Sequence, residues 1–516
     1  MTNFKRNNLS IAISGIILAL GSQNVTAAEF DQILSGSYST PFIWLNRTIS
    51  DPPEPPRVPG SEDIVHFSDG SIFFDVSPTN LQAEVHGSTT FNLQGNTYSL
   101  TNRLDIQGGT LETVGGSIFS NGGNVNSGGT VVLGAGTNWF SQLTIQRSDL
   151  SVNDGVFTVQ DGAGVFVSSG TTVIGRGLDN DGFVTVTGTG SKFSNFGNNP
   201  GDDFLVGFEG GSGQLDVLNG GQVFSGGSAT IGRYEGSIGQ VTVSGIGSNW
   251  TGSSIGIGDN SGTGTLTVED QSSLNTSYLG VRKDSSVTVD NASIDATQGV
   301  EQRTELVEGG LLTLKNNSQF VTAGLLVTGA GSLLSVKTGS TATANNAEAR
   351  TGGEISIDNA NLNVFDLHAG QWDDHTGTLT FSDNAQVNVG GRLFSEGTIT
   401  VDNSTINVVD EIEGTGGSIT ISQNAQINTD RIELLDATVN TQDSAWQLTD
   451  GGFFNGGGYT QIGGSFSFGD EFSFGASSNG PATVTLQDGA LIQHQDLGTF
   501  DNHGNLFVKD SSTFSL

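Results

Sequence analysis

Gln371 to Gly377 reads Gln-Trp-Asp-Asp-His-Thr-Gly. Asp373, Asp374 and His375 put two carboxylates and an imidazole on three successive positions, a donor set suited to a divalent cation. The nearest arginine, Arg392, follows about one repeat length later. The plain alternative for the same residues is a polar loop. Three acidic turns offer a second set: Gly177 to Gly182, Asn198 to Phe204 and Gly210 to Leu218. Hard oxygen donors suit calcium, and stacked coils would bring Asp179, Asp181, Asp202 and Asp203 together. Calcium is therefore the one cofactor the sequence suggests, with solvated turn aspartates as the plain reading. His66, His86, His368, His375, His494 and His503 are scattered, and His368 and His375 have no third ligand at metal spacing. There is no cysteine nucleophile and no phosphate-binding loop.

Such residues need elements to hold them, and the chain supplies a repeat. Ile231-Gly232 leads through a polar turn to Gly239, Val241-Thr242-Val243 and Trp250. Ile257-Gly258 leads in the same way to Gly264, Leu266-Thr267-Val268 and Leu274. The unit is about 25 residues long, within the range of a solenoid coil. It is clearest over residues 172–294, and a looser version of ~20–24 residues fills 305–516. Apolar-Thr-apolar is a strand with its ends inward and Thr outward. One such strand cannot bury its apolar side alone, so copies must stack. The sequence predicts an all-β, right-handed parallel β-helix over 81–516, with an irregular cap and first strands over 29–80, where most prolines fall. No segment has a sustained helical period. Thr pairs such as Thr265/Thr267 and Thr398/Thr400 should project outward, and occasional aromatics such as Trp139 should join them.

The first 28 residues read as a signal peptide: Lys5 and Arg6, an apolar run from Leu9 to Leu20, and small residues at Ala27 and Ala28. The whole chain holds 77 Gly, no Cys and a formal net charge of -35. That charge argues against nucleic acid, anionic lipid or another polyanion as an electrostatic partner. The last residues, Asn505 to Leu516, read as half a coil, so the chain is expected either to belong to a longer protein or to have this end covered.

The alternating Ile-Gly…Gly-x-Val-Thr-Val…Gly-x-Gly-Ser-x-Trp and Ile-Gly…Gly-Thr-Leu-Thr-Val units resemble the repeat of autotransporter passengers (type V secretion) and PEP-CTERM-type exported proteins of Gram-negative bacteria. The resemblance implies an extracellular or outer-membrane-surface β-helix with adhesive or matrix roles. Neither a translocator barrel nor a Pro-Glu-Pro tail follows, so outer-membrane association would run through a C-terminal region not present here. The Gln371 to Gly377 stretch is similar to the Trp-x-Asp-His stretch of pectate lyases, which implies calcium on Asp373, Asp374 and His375 and a base at Arg392. The Arg-x-Pro-x-x-Arg stretch of that family is absent. Asn428 to Glu433 resembles the Asn-Thr-Asp of polygalacturonases, without the paired carboxylates that hydrolysis needs. The sequence reading is a non-catalytic secreted or cell-surface scaffold, adhesin-like, making distributed contacts to glycans or to cell and abiotic surfaces. The alternative is a calcium-dependent polysaccharide lyase.

Overall fold

The computed structural model describes residues 27–47, 57–141, 150–197, 203–299, 302–370, 376–475, 482–494 and 500–515. Most of the expected signal peptide, and also Asp202, Asp373, Asp374 and His375, lie outside them. The described chain is a parallel β-solenoid of about 19 turns. Its one helical element is a 3-10 turn, Pro41–Ile43. Among the described residues no helix is long and apolar enough to cross a membrane.

Each coil gives a strand to three ladders. Thr263–Glu269 belongs to the first, Ser273–Asn275 to the second and Tyr278–Val281 to the third. We call these faces one, two and three. The next coil repeats all three in parallel: Leu266 pairs with Val287, Leu274 with Ile294 and Leu279 with Thr304. In some coils faces two and three fuse into one bent strand, such as Asn249–Asp259, whose register against the coil below breaks between Ser225 and Ser228. On face one the apolar-Thr-apolar pattern does what its period dictates. Leu266 and Val268 are buried while Thr265 is exposed and Thr267 only half-buried.

The repeat's Ile-Gly pair marks a corner. Gly175, Gly207 and Gly232 sit at φ of 71°, 75° and 70°, a region other residues rarely enter. A Cβ on Gly232 would also lie 2.1 Å from the carbonyl oxygen of Thr263 on the next coil. Between faces one and two the corner uses glycine in some coils, as at Gly188 and Gly245, and Asn or Asp in others, including Asn219, Asp270 and Asn316, which tolerate the left-handed region better than other side chains. Buried serines follow them. Ser248 Oγ accepts the Gly220 N–H at 2.9 Å and Ser340 Oγ accepts the Ser318 N–H at 3.1 Å, tying each corner to the coil below.

The ladder is already under way within residues 29–80. Glu29–Gln32 already pairs in parallel with Ile64–Phe67, which pairs with Gln82–Val85. Capping is done by one strand, Trp44–Asn46, laid antiparallel on Glu29–Gln32, which covers an edge that would otherwise invite pairing. Beneath it Tyr38, Trp44, Phe67, Phe74, Phe91 and Tyr98 fill the interior, with the Tyr38 and Trp44 rings edge-to-face at 5.0 Å.

Candidate functional surface

One column of face two, outward in orientation although Ser194 within it is buried, runs along much of the solenoid. It begins Phe119, Phe140, Phe166, Ser194 and Phe224, each in register with the next. It continues through Thr251, Asn275, Asp295, Val321 and Thr343 to Asn363. It then becomes Asn388, Asn407, Asn428 and Gln447. At ~4.8 Å per rung the stretch from Phe119 to Asn428 is about 60 Å long.

The two ends of this column differ in chemistry. Phe119 stacks on Phe140 at 4.7 Å and Phe140 on Phe166 at 5.0 Å, with interplanar angles of 15° and 16°. Stacked in this way the rings cover each other's faces and turn their edges outward. Phe196, two residues beyond Ser194, lies against Phe224 at 5.5 Å, and these two rings are exposed. At the other end the amides form a hydrogen-bonded ladder. Asn388 Nδ2 donates to Asn363 Oδ1 at 3.0 Å, Asn407 Nδ2 to Asn388 Oδ1 at 3.0 Å, and Asn428 Nδ2 to Asn407 Oδ1 at 2.9 Å. A primary amide has two N–H donors and two acceptor sites on oxygen. In the ladder Asn388 and Asn407 each use one donor and one acceptor site, which leaves one of each for other partners. A groove of about 250 Å³ flanks it, lined by Asn407, Asn428, Asp430, Gln447 and Thr449 with Val409 exposed.

Face three carries a second groove, of about 270 Å³, where Gly324 leaves room beside Arg303, Leu326, Glu348, Arg350 and His368. Its charges are internally matched. Arg303 pairs with Glu305, and Arg350 Nη2 lies 3.0 Å from Glu348 Oε2. His368 stacks on Phe394 at 4.2 Å. Burial pushes the Glu348 carboxyl up and the His368 imidazole down. Arg392 stands beside this groove, its Nη1 3.2 Å from Glu413 and 3.7 Å from Glu411. The hydrogen bond it donates to Glu413 raises its pKa.

No protein-family model matches this chain, and no curated protein matches it. The site must therefore be read from its own geometry.

Asp179, Asp181 and Asp203 do not gather into a ligand set. Asp203 accepts from Arg233 Nη1 at 2.9 Å, while Asp179, on a turn, and Asp181, the first residue of Asp181–Thr187, are exposed. Asn428, Thr429 and Asp430 also have structural positions: Asn428 is a rung of the amide ladder, Thr429 is buried, and Asp430 bonds Thr449. Trp139 corrects the expectation of an outward contact residue. It is buried and donates Nε1 to Ser120 Oγ at 2.8 Å, because its strand position is an inward one. The amide ladder was missed in the sequence, although Asn363-Val364, Asn388-Val389 and Asn407-Val408 recur at coil spacing. Among the described residues one convergent set of ligand-type side chains exists, His66, Glu84 and His86, and it too was missed. The spacing of 18 between His66 and Glu84 is one coil, which was the available signal.

Proposed function

We propose that this chain is an exported, non-catalytic β-solenoid scaffold that holds neutral glycan chains, or similarly hydroxylated cell and abiotic surfaces, along the outer column of face two. The observation that carries this reading is the register of that column. From Asn363 to Gln447 a row of amides offers successive units of a periodic polymer similar weak contacts, and many weak contacts along one rigid body sum to useful avidity. Charge supports neutral partners, since the net charge of -35 repels polyanions. The guanidiniums along face three do not offset this: Arg303, Arg350, Arg392 and Arg431 each stand against a glutamate. The signal-peptide pattern and the resemblance to autotransporter passengers support export. Retention of the purified chain on immobilised neutral polysaccharides tests the reading. Retention that weakens in an Asn388→Ala, Asn407→Ala double variant supports it, and equal retention of both proteins contradicts it.

A further inference from the structure

His66, Glu84 and His86 meet near the N-terminal end of the solenoid, away from the glycan column. His66 lies on Ile64–Phe67 and Glu84 on the next coil, directly in register with it. His86 follows Glu84 by two residues, which returns it to the same side of the chain. His66 Nδ1 is 3.2 Å from Glu84 Oε2, and His86 Nε2 is 3.1 Å from the same oxygen. One donor atom from each of the three residues lies within 4.8 Å of the others.

We propose that these three side chains form a binding site for a zinc-class dication. Two imidazoles and one carboxylate are the donors such an ion takes, at ~2.0–2.2 Å each. A tetrahedron of those bond lengths has edges of about 3.3–3.6 Å, so the separations at Glu84 Oε2 are already close to those of a bound set. A second observation comes from His66 itself. Its side chain is only 11% exposed, and neither ring nitrogen makes a hydrogen bond, the approach to Glu84 being misaligned for one. Burying an imidazole in that state is costly, and a metal on Nδ1 gives it a partner. The surroundings fit a ligand role. Glu84 Oε1 accepts from Gln82 Nε2 at 3.1 Å, which leaves Oε2 to face the two rings. His66 Nε2 looks toward Glu29 Oε2 at 3.9 Å, the placement of a carboxylate behind a metal-bound imidazole. His86 is well exposed, so solvent reaches the fourth position. The ion would clip two successive coils together close to the capping strand.

The test uses the full chain without a histidine tag, stripped with a chelator and titrated with zinc chloride by calorimetry. One tight equivalent is expected. His86→Ala and Glu84→Gln should each weaken it about tenfold or more. Because His86 is exposed, its variant should keep the metal-free melting temperature of the parent, which separates lost binding from lost folding. Zinc should raise the melting temperature of the parent and not of the variants, and calcium should not displace it. No binding by the parent, parent-like binding by both variants, or ready displacement by calcium would each overturn the proposal.

Discussion

Asn407 Nδ2 donates to Asn388 Oδ1 at 3.0 Å although 19 residues separate the two in sequence. The bond is short because one coil brings the chain back to the same rung, one level along. Asn388 in turn donates to Asn363, so its amide is a link in both directions. Asn388→Ala removes two hydrogen bonds at an exposed position. It should cost about 1 kcal/mol or less, while weakening retention on neutral polysaccharide several-fold. Asn388→Asp should be worse than Ala for stability, since its carboxylate faces the Asn363 oxygen without a proton to give. Thermal unfolding of the three proteins ranks them.

Gly232 is required for two separable reasons, its positive φ and the Thr263 carbonyl 2.1 Å from its missing Cβ. Gly416 shares the first, at φ 76°, with nothing within 4 Å of a Cβ. Gly416→Ala should cost about 1–2 kcal/mol, the price of the left-handed conformation. Gly232→Ala should cost distinctly more, because the backbone of the next coil must move. Equal losses in denaturant unfolding would show that the close approach carries no energy.

A buried polar pair interrupts the apolar interior near the C-terminal end. Tyr459 Oη donates to Gln461 Oε1, and Gln461 Nε2 donates to the Gly463 carbonyl at 2.6 Å. Burial raises the Tyr459 pKa far above its ordinary value, so the phenol stays protonated and available as a donor. Gln461→Leu removes the acceptor of that buried hydroxyl and should cost ~1–3 kcal/mol. The double variant Tyr459→Phe, Gln461→Leu should recover part of the loss, because both partners are then apolar. A double variant less stable than the sum of the singles would contradict this reading of the pair.

The fold was legible in the sequence because solenoid coils are local in pattern. Val241-Thr242-Val243 states a strand, a burial side and a repeat within three residues. The cap was less legible. Pro-rich sequence marks where ladder pairing is awkward, but not that Trp44–Asn46 would turn back on the first strand. The surface was least legible, since its columns exist only once register is fixed. Phe119 and Phe140 are 21 residues apart, Asn388 and Asn407 are 19 apart, and the coil length varies between. A difference of one residue moves a side chain from outside to inside, and Trp139 occupies an inward position.

His368 gives the stability a pH dependence of known sign. Burial is the main cause of its lowered pKa, with Asp366 opposing and Arg350 and Arg392 adding to it. The unfolded chain therefore takes up a proton at the ordinary value of 6.5 before the folded chain does. The stability linked to neutral His368 is complete above that value and is lost as pH falls below it. Glu348 acts the other way and lower, since burial lifts its carboxyl above the ordinary 4.5 and favours the folded state as that group protonates. Melting temperatures taken between about pH 7.5 and 5.5 should fall more for the parent than for His368→Gln. Parallel curves would remove His368 from the account.

The central claim is distributed, non-catalytic contact along one in-register column. The most direct test measures affinity for a neutral polysaccharide as a function of oligomer length, with the oligomers sized again after incubation. The account predicts affinity that keeps rising as the oligomer lengthens along the ~60 Å column, and oligomers that return at their original size. Affinity that levels off after a few sugar units, or oligomers that return shortened, would contradict it.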